Sequence, residues 1–123
     1  MIRGVVYTHA DLGIAFCRTV ETMLGPQADL QGISNEGLSG KSVQLKLEET
    51  MTSGEGESII FTALFGGSCW QAAEKFSRER GEVRHITGVN LPMLVCFVNK
   101  RETVSLDELT DLLGEYGRKG ILP

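Results

Sequence analysis

Two stretches of this chain hold residues whose types and spacing suit chemistry. In "VVYTHADLG", residues 5–13, a β-branched run leads straight into His9. A histidine at the end of a strand serves as nucleophile, general base, ligand or plain turn residue. In "FGGSCWQAA", residues 65–73, the pair Gly66 and Gly67 precedes Ser68. With Ser68 as a helix cap, this loop presents bare backbone N–H groups and the positive end of a helix dipole, a physical site for phosphate or another anion. Taken together, the two stretches suggest an imidazole that accepts a phosphoryl group while the loop amides stabilise charge on its oxygens. Such transfer needs a neutral ring with a free lone pair on the attacking nitrogen, and a hydrogen bond from the other nitrogen to fix the tautomer. Thr8, Asp11, Thr62, a backbone carbonyl or water are the candidates to hold the ring.

Cys69 offers a competing chemistry, because a thiol in the first turn of a helix has a lowered pKa when a histidine acts as its base. A phosphatase-like cysteine loop wants an arginine six positions on, to grip phosphate bidentately, and this chain has Lys75 there. Cys69 therefore reads as a packed small hydrophobe. His85 falls inside a strand-like run and reads as structural or surface-exposed. Trp70, Phe76, Phe97 and Tyr116 have the spacing of core positions, and no aromatic-basic platform for nucleic acid emerges.

The elements that position these residues alternate in type. Residues 2–8 read as a strand buried on both faces. From Asp11, the residues Leu12, Ala15, Phe16, Thr19, Val20, Met23 and Leu24 follow helical spacing until Gly25-Pro26. Residues 28–34 are a weaker strand, 35–40 a turn. The next segment fits either type, and its length with its Lys and Glu content favours a helix ending at Gly54. Residues 58–64 form a second buried strand, the glycine loop leads into a helix, and 83–89 read as a fourth strand. Asn90-Leu91-Pro92 looks like an N-cap followed by an early helical proline. Ser105 and Glu108 make a capping box for the last helix, which Gly117 and Gly120 close.

This order predicts an α/β fold, a doubly wound, mainly parallel sheet of about four to five strands with helices on both faces. Functional loops in such sheets gather at the carboxyl ends of the strands. If the first and third strands are neighbours, His9 and the glycine loop meet in one crevice.

Bulk properties bound the function. The 123 residues suit one domain spanning 1–123, and 41% apolar with 23% charged residues is the composition of a globular protein. A net charge of −4 argues against a nucleic-acid binder. Arg78, Arg80 and Arg84, interleaved with Glu79 and Glu82, read as a solvated face. Cys17, Cys69 and Cys96 lack a C-x-x-C pairing, which suggests neither a disulfide framework nor a zinc site, and no metal or other cofactor is expected. No apolar run approaches bilayer length and no signal sequence is evident, so the chain reads as cytosolic, complete and unprocessed.

A third stretch makes the arrangement familiar. "TGVNLPMLV", residues 87–95, together with the two above, resembles the EIIA component of the mannose family of the bacterial phosphotransferase system (PTS) over nearly the whole chain. The resemblance implies a doubly wound, usually dimeric carrier that takes phosphate from the phosphocarrier protein HPr on a histidine, here His9, and passes it to an EIIB partner at the membrane components. It also implies an aspartate three residues before Gly66, to hydrogen-bond the active histidine. This chain has Ala63 there, Ala10 where a glycine often follows the histidine, and Cys69 where a proline often follows the serine. Loss of an orienting carboxylate costs histidine systems a large rate factor. The expectation is a carrier with altered tuning, in sugar uptake or its regulation. Two alternatives stay open: a non-phosphorylated interaction module, and a small-anion or Cys-dependent enzyme. A dimer would be consistent with an exposed face on residues 93–98.

Overall fold

The computed structural model describes residues 1–123. Four strands form one parallel sheet: β1 (Arg3–Thr8), β2 (Leu30–Ser34), β3 (Ser58–Thr62) and β4 (Val83–Thr87). Five helices connect and follow them: α1 (Leu12–Leu24), α2 (Lys41–Thr52), α3 (Ser68–Arg78), α4 (Leu91–Lys100) and α5 (Leu106–Lys119). The strand order is β2-β1-β3-β4, so the first and third strands are neighbours. Alternate residues of each strand point to opposite faces. Val6, Ile59 and Phe61 meet α1, α4 and α5 on one face, while Val5, Tyr7, Ile60 and Val83 meet α2 and α3 on the other. The apolar runs read from the sequence are therefore strands covered on both sides.

Local chemistry explains where the elements stop. Gly88, at φ +76°, ends β4, although Val89 still donates its N–H to the Thr62 carbonyl at 3.1 Å. β3 closes at Thr62 because the chain then turns, with the Gly67 N–H reaching back to the Leu64 carbonyl at 3.1 Å. Residues 41–52 are helical, as their Lys and Glu content indicates. The Asn90 side chain accepts from the Met93 N–H at 3.0 Å, and Ser105 accepts from the Glu108 N–H at 3.2 Å, so both caps form as read.

Several expectations need correction. Gly117 does not close the last helix. It lies inside α5, where a Cβ would come within 2.8 Å of the Met93 terminal methyl, and so it permits close packing of α5 on α4. Gly120 alone is the C-cap. Phe76 and Phe97 are core residues, but Trp70 is half-buried and Tyr116 is 42% exposed. Of residues 93–98, Met93, Leu94, Cys96 and Phe97 are buried and only Val95 and Val98, both half-buried, reach the surface. The arginine trio is a solvated face at Arg78, which is 78% exposed in its pair with Glu74, while Arg84 and Arg80 are half-buried, Arg84 pairing with Asp107 at 3.0 Å and the Arg80 guanidinium lying 3.8 Å from the Phe76 ring centre.

Candidate functional site

The crevice forms at the carboxyl ends of β1 and β3. His9 leaves β1 one residue past its last paired position, and its side chain is exposed. The turn that carries it is held from below by Thr8, which is 1% exposed. The Thr8 hydroxyl accepts from the Gly13 N–H at 2.6 Å, and its carbonyl accepts from the Asn35 N–H at 3.1 Å. Thr8 thus caps the first turn of α1 from a distance, while Asp11, at the N-cap position itself, makes no side-chain capping bond. Between them Ala10 sits at φ +49°, in the left-handed region that a side chain disfavours by about 1 kcal/mol or more.

The glycine loop comes from the neighbouring strand. Gly66 takes φ +82°, and Gly67, extended, is the N-cap of α3. Ser68 is therefore the first helical residue and not the cap, a correction with a benefit: the helix starts on backbone alone, with the bare N–H groups of its first turn at the crevice. The imidazole stands directly against this start. A Cβ placed on Gly67 would lie 3.2 Å from the His9 Cε1 and 3.3 Å from the Leu64 carbonyl. Gly67 is bare where the ring needs the space. Leu64 and Phe65, 63% and 74% exposed, form an apolar rim, with Phe65 packed against Trp70 at 4.8 Å between ring centres and the ring planes tilted by 58°.

Of the three side chains expected to hold the ring, the Thr8 hydroxyl accepts from the Gly13 N–H, Asp11 is exposed at the start of α1, and Thr62 bonds His85 at 2.7 Å. Ala63 is half-buried against the core shared by α1 and α4 and brings no polar group.

His85 belongs to a different arrangement. Its side chain is 3% exposed; Nε2 meets the Thr62 hydroxyl and Nδ1 meets Glu74 Oε1 at 3.0 Å, with the Trp70 ring 6.1 Å away. Burial pushes its pKa below the ordinary histidine value, against the pull of Glu74. His85 is structural, one of the two readings its position allowed. Sequence reading missed the Thr62–His85–Glu74 chain. Its signal was the two-residue alternation that puts Thr62 and His85 on the face of Ile60 and Val83.

The thiol reading of Cys69 loses its chemistry here. Cys69 is 3% exposed, and burial pushes its thiol up to about 11, more than the nearby Ser68 hydroxyl and Lys46 ammonium pull it down. A thiol so placed is protonated at neutral pH.

Comparison with known proteins bears on this crevice. Residues 4–113 match the family model EIIA-man, described as PTS system fructose IIA component. The mannose-specific EIIAB component of the PTS of Escherichia coli (strain K12) is 28% identical over 123 residues, covering 95% of this chain and 38% of that protein. The chain thus spans little more than a third of that relative. The fructose-specific EIIA component of Bacillus subtilis (strain 168) is 27% identical over 118 residues, covering 92% of this chain and 80% of that one. Among solved structures, phosphotransferase system component EIIA from Streptococcus agalactiae superimposes with a TM-score of 0.92 at 24% identity, over 100% of this chain and 97% of that one. The mannose/sorbose specific IIA subunit from Enterococcus faecalis gives 0.87 at 20% identity, over 99% and 93%. No helix of the chain is long and apolar enough to cross a membrane.

Proposed function

The chain belongs to the EIIA-man family of PTS IIA components, and from that premise we propose that it is a single-domain phosphoryl carrier across residues 1–123, with His9 as the acceptor. One ring nitrogen of His9 attacks the phosphorus of phospho-HPr; the new N–P bond forms as the donor's bond to phosphorus breaks. The step then reverses onto an EIIB partner. Gly66, Gly67 and the Ser68 end of α3 receive the phosphoryl oxygens, since an uncapped helix start offers N–H donors and a favourable dipole to an anion. The observation that carries the reading is the position of the His9 ring over Gly67, where an added Cβ would come within 3.2 Å of its Cε1. The carrier acts in the cytoplasm as a homodimer, in sugar uptake or its regulation, and needs no metal or other cofactor.

The decisive experiment incubates the purified chain with phosphoenolpyruvate, enzyme I and HPr, and reads intact mass for the natural chain and for His9→Ala. One added phosphate that disappears in His9→Ala supports the carrier. Persistence of the added mass in His9→Ala removes His9 from the role. Sedimentation of the same sample decides the dimer.

Ala63 favours a second reading, an interaction module that keeps the fold and the partner surface without transfer. It predicts no mass gain while HPr itself is fully phosphorylated, together with binding of EIIB that is indifferent to phosphorylation.

A further inference from the structure

Asn35 read in the sequence as turn chemistry only, yet it is 9% exposed and tied to both halves of the crevice. Its main-chain N–H donates to the carbonyl of Thr8, the residue before His9, at 3.1 Å. Its side-chain Nδ2 donates to the Ser68 Oγ at 3.1 Å. Because β1 lies between β2 and β3, this second bond crosses the end of the strand that carries His9. One residue thus fixes the separation between the imidazole's strand and the start of α3.

The bond also has a direction. An amide Nδ2 only donates, so it occupies a lone pair of the Ser68 oxygen and leaves the serine proton for another acceptor. Nearby, the Cys69 sulfur is a weak acceptor, whereas a phosphoryl oxygen is charged and forms the stronger bond. We propose that Asn35 is a positioning residue for phosphoryl transfer: it holds Ser68 Oγ in place and aims the serine O–H at the phosphoryl oxygens over His9. This rests on the reading of His9 as the acceptor. A donor fixed before the charge arrives stabilises the transition state without reorganisation.

The test compares the natural chain with Asn35→Ala, Asn35→Asp, Ser68→Ala and the double variant Asn35→Ala/Ser68→Ala. None of these removes the main-chain bond to Thr8, and Asn35→Asp is nearly isosteric, so the fold has no reason to change; thermal melting verifies that. A carboxylate only accepts, so Asn35→Asp turns the serine proton away from the crevice. The expected result is about tenfold slower phosphorylation in Asn35→Ala, the low end of what loss of an orienting hydrogen-bond partner costs. Asn35→Asp is slower still, the loss appears in the maximal rate rather than in the KM for phospho-HPr, and the double variant is no slower than Ser68→Ala. Multiplying losses in the double variant, or a natural rate in Asn35→Asp, overturns the proposal. In parallel, inorganic phosphate is titrated while the amide resonances of Gly67 and Ser68 are followed. If the natural chain gains no phosphate from HPr, the reading of His9 fails and this titration decides Asn35 separately. Binding at least fivefold weaker in Asn35→Ala, which removes the donor to Ser68 without adding charge, sustains its positioning role at the anion loop, and unchanged binding ends it.

Discussion

The two histidines of this chain occupy opposite chemical situations. His85 is buried, with one nitrogen on Glu74 at 3.0 Å and the other on Thr62 at 2.7 Å. His9 is exposed on a turn, against a bare glycine and the uncapped start of a helix. A histidine with a carboxylate on one side and a hydroxyl on the other has a fixed tautomer but no free lone pair to attack with. A histidine on an open turn has the access and lacks the partner. The chain holds a carboxylate-imidazole pair, but not on the imidazole that faces the glycine loop. The difference separates orientation from availability, which catalysis by histidine ordinarily combines in one residue.

The largest test of this contrast is removal of each ring. His9→Ala abolishes phosphate uptake, by a factor of a thousand or more in intact-mass time courses, and leaves the melting temperature essentially unchanged because the side chain is exposed. His85→Ala does the reverse. It leaves Thr62, which is 0% exposed, without its partner and opens a cavity, so denaturant unfolding shows a loss of about 3 kcal/mol while uptake stays within a few-fold of natural.

A smaller effect sharpens the contrast by giving His9 what His85 already has. Ala63→Asp supplies a carboxylate at the position where the family resemblance implies one, and raises the single-turnover rate of phosphorylation by about ten- to a hundredfold, the usual worth of a carboxylate that orients a functional histidine. An unchanged rate shows that His9 is already oriented by another group or by solvent.

Ala10→Gly relieves the left-handed backbone beside His9 at φ +49°, and stabilises the chain in denaturant unfolding by about 0.5–1 kcal/mol once the greater freedom of glycine in the unfolded state is counted. Least in size is the response of His85 to acid. Burial holds its folded pKa below the ordinary 6.5, so the unfolded chain takes up the proton first as the pH falls. Its contribution is complete above about pH 6.5 and is lost as the pH drops from there through the folded pKa. Melting curves of His85→Gln across that window decline less steeply than those of the natural chain.

Much of this molecule was legible because its signals are local. The run of residues 5–7 into His9, the glycines at 66 and 67, and the caps at Asn90 and Ser105 each declare an element through neighbours in sequence. The meeting of His9 with Gly67 needed one tertiary fact, the adjacency of β1 and β3, and followed once that order was known. The Asn35–Ser68 and Thr62–His85–Glu74 contacts were not legible, because they depend on strand register and on which helix turn passes overhead. Gly117 misled for a related reason: a glycine that admits a neighbouring helix looks, in sequence, like one that ends its own.

The order β2-β1-β3-β4 also sets a timetable. As the chain leaves the ribosome, β1, α1 and β2 emerge first, and β1 can pair with β2 at once. The other edge of β1 stays open until β3 has been made, and the bond from Asn35 to Ser68 closes across 33 residues. Long parallel closures of this kind are the slow part of folding. A nascent or truncated chain that ends before Ser58 therefore has only β1 and β2 and displays His9 with no glycine loop beside it. The glycine loop comes to stand beside His9 only when the inner pair of strands closes, so that approach reports completion of this half of the fold.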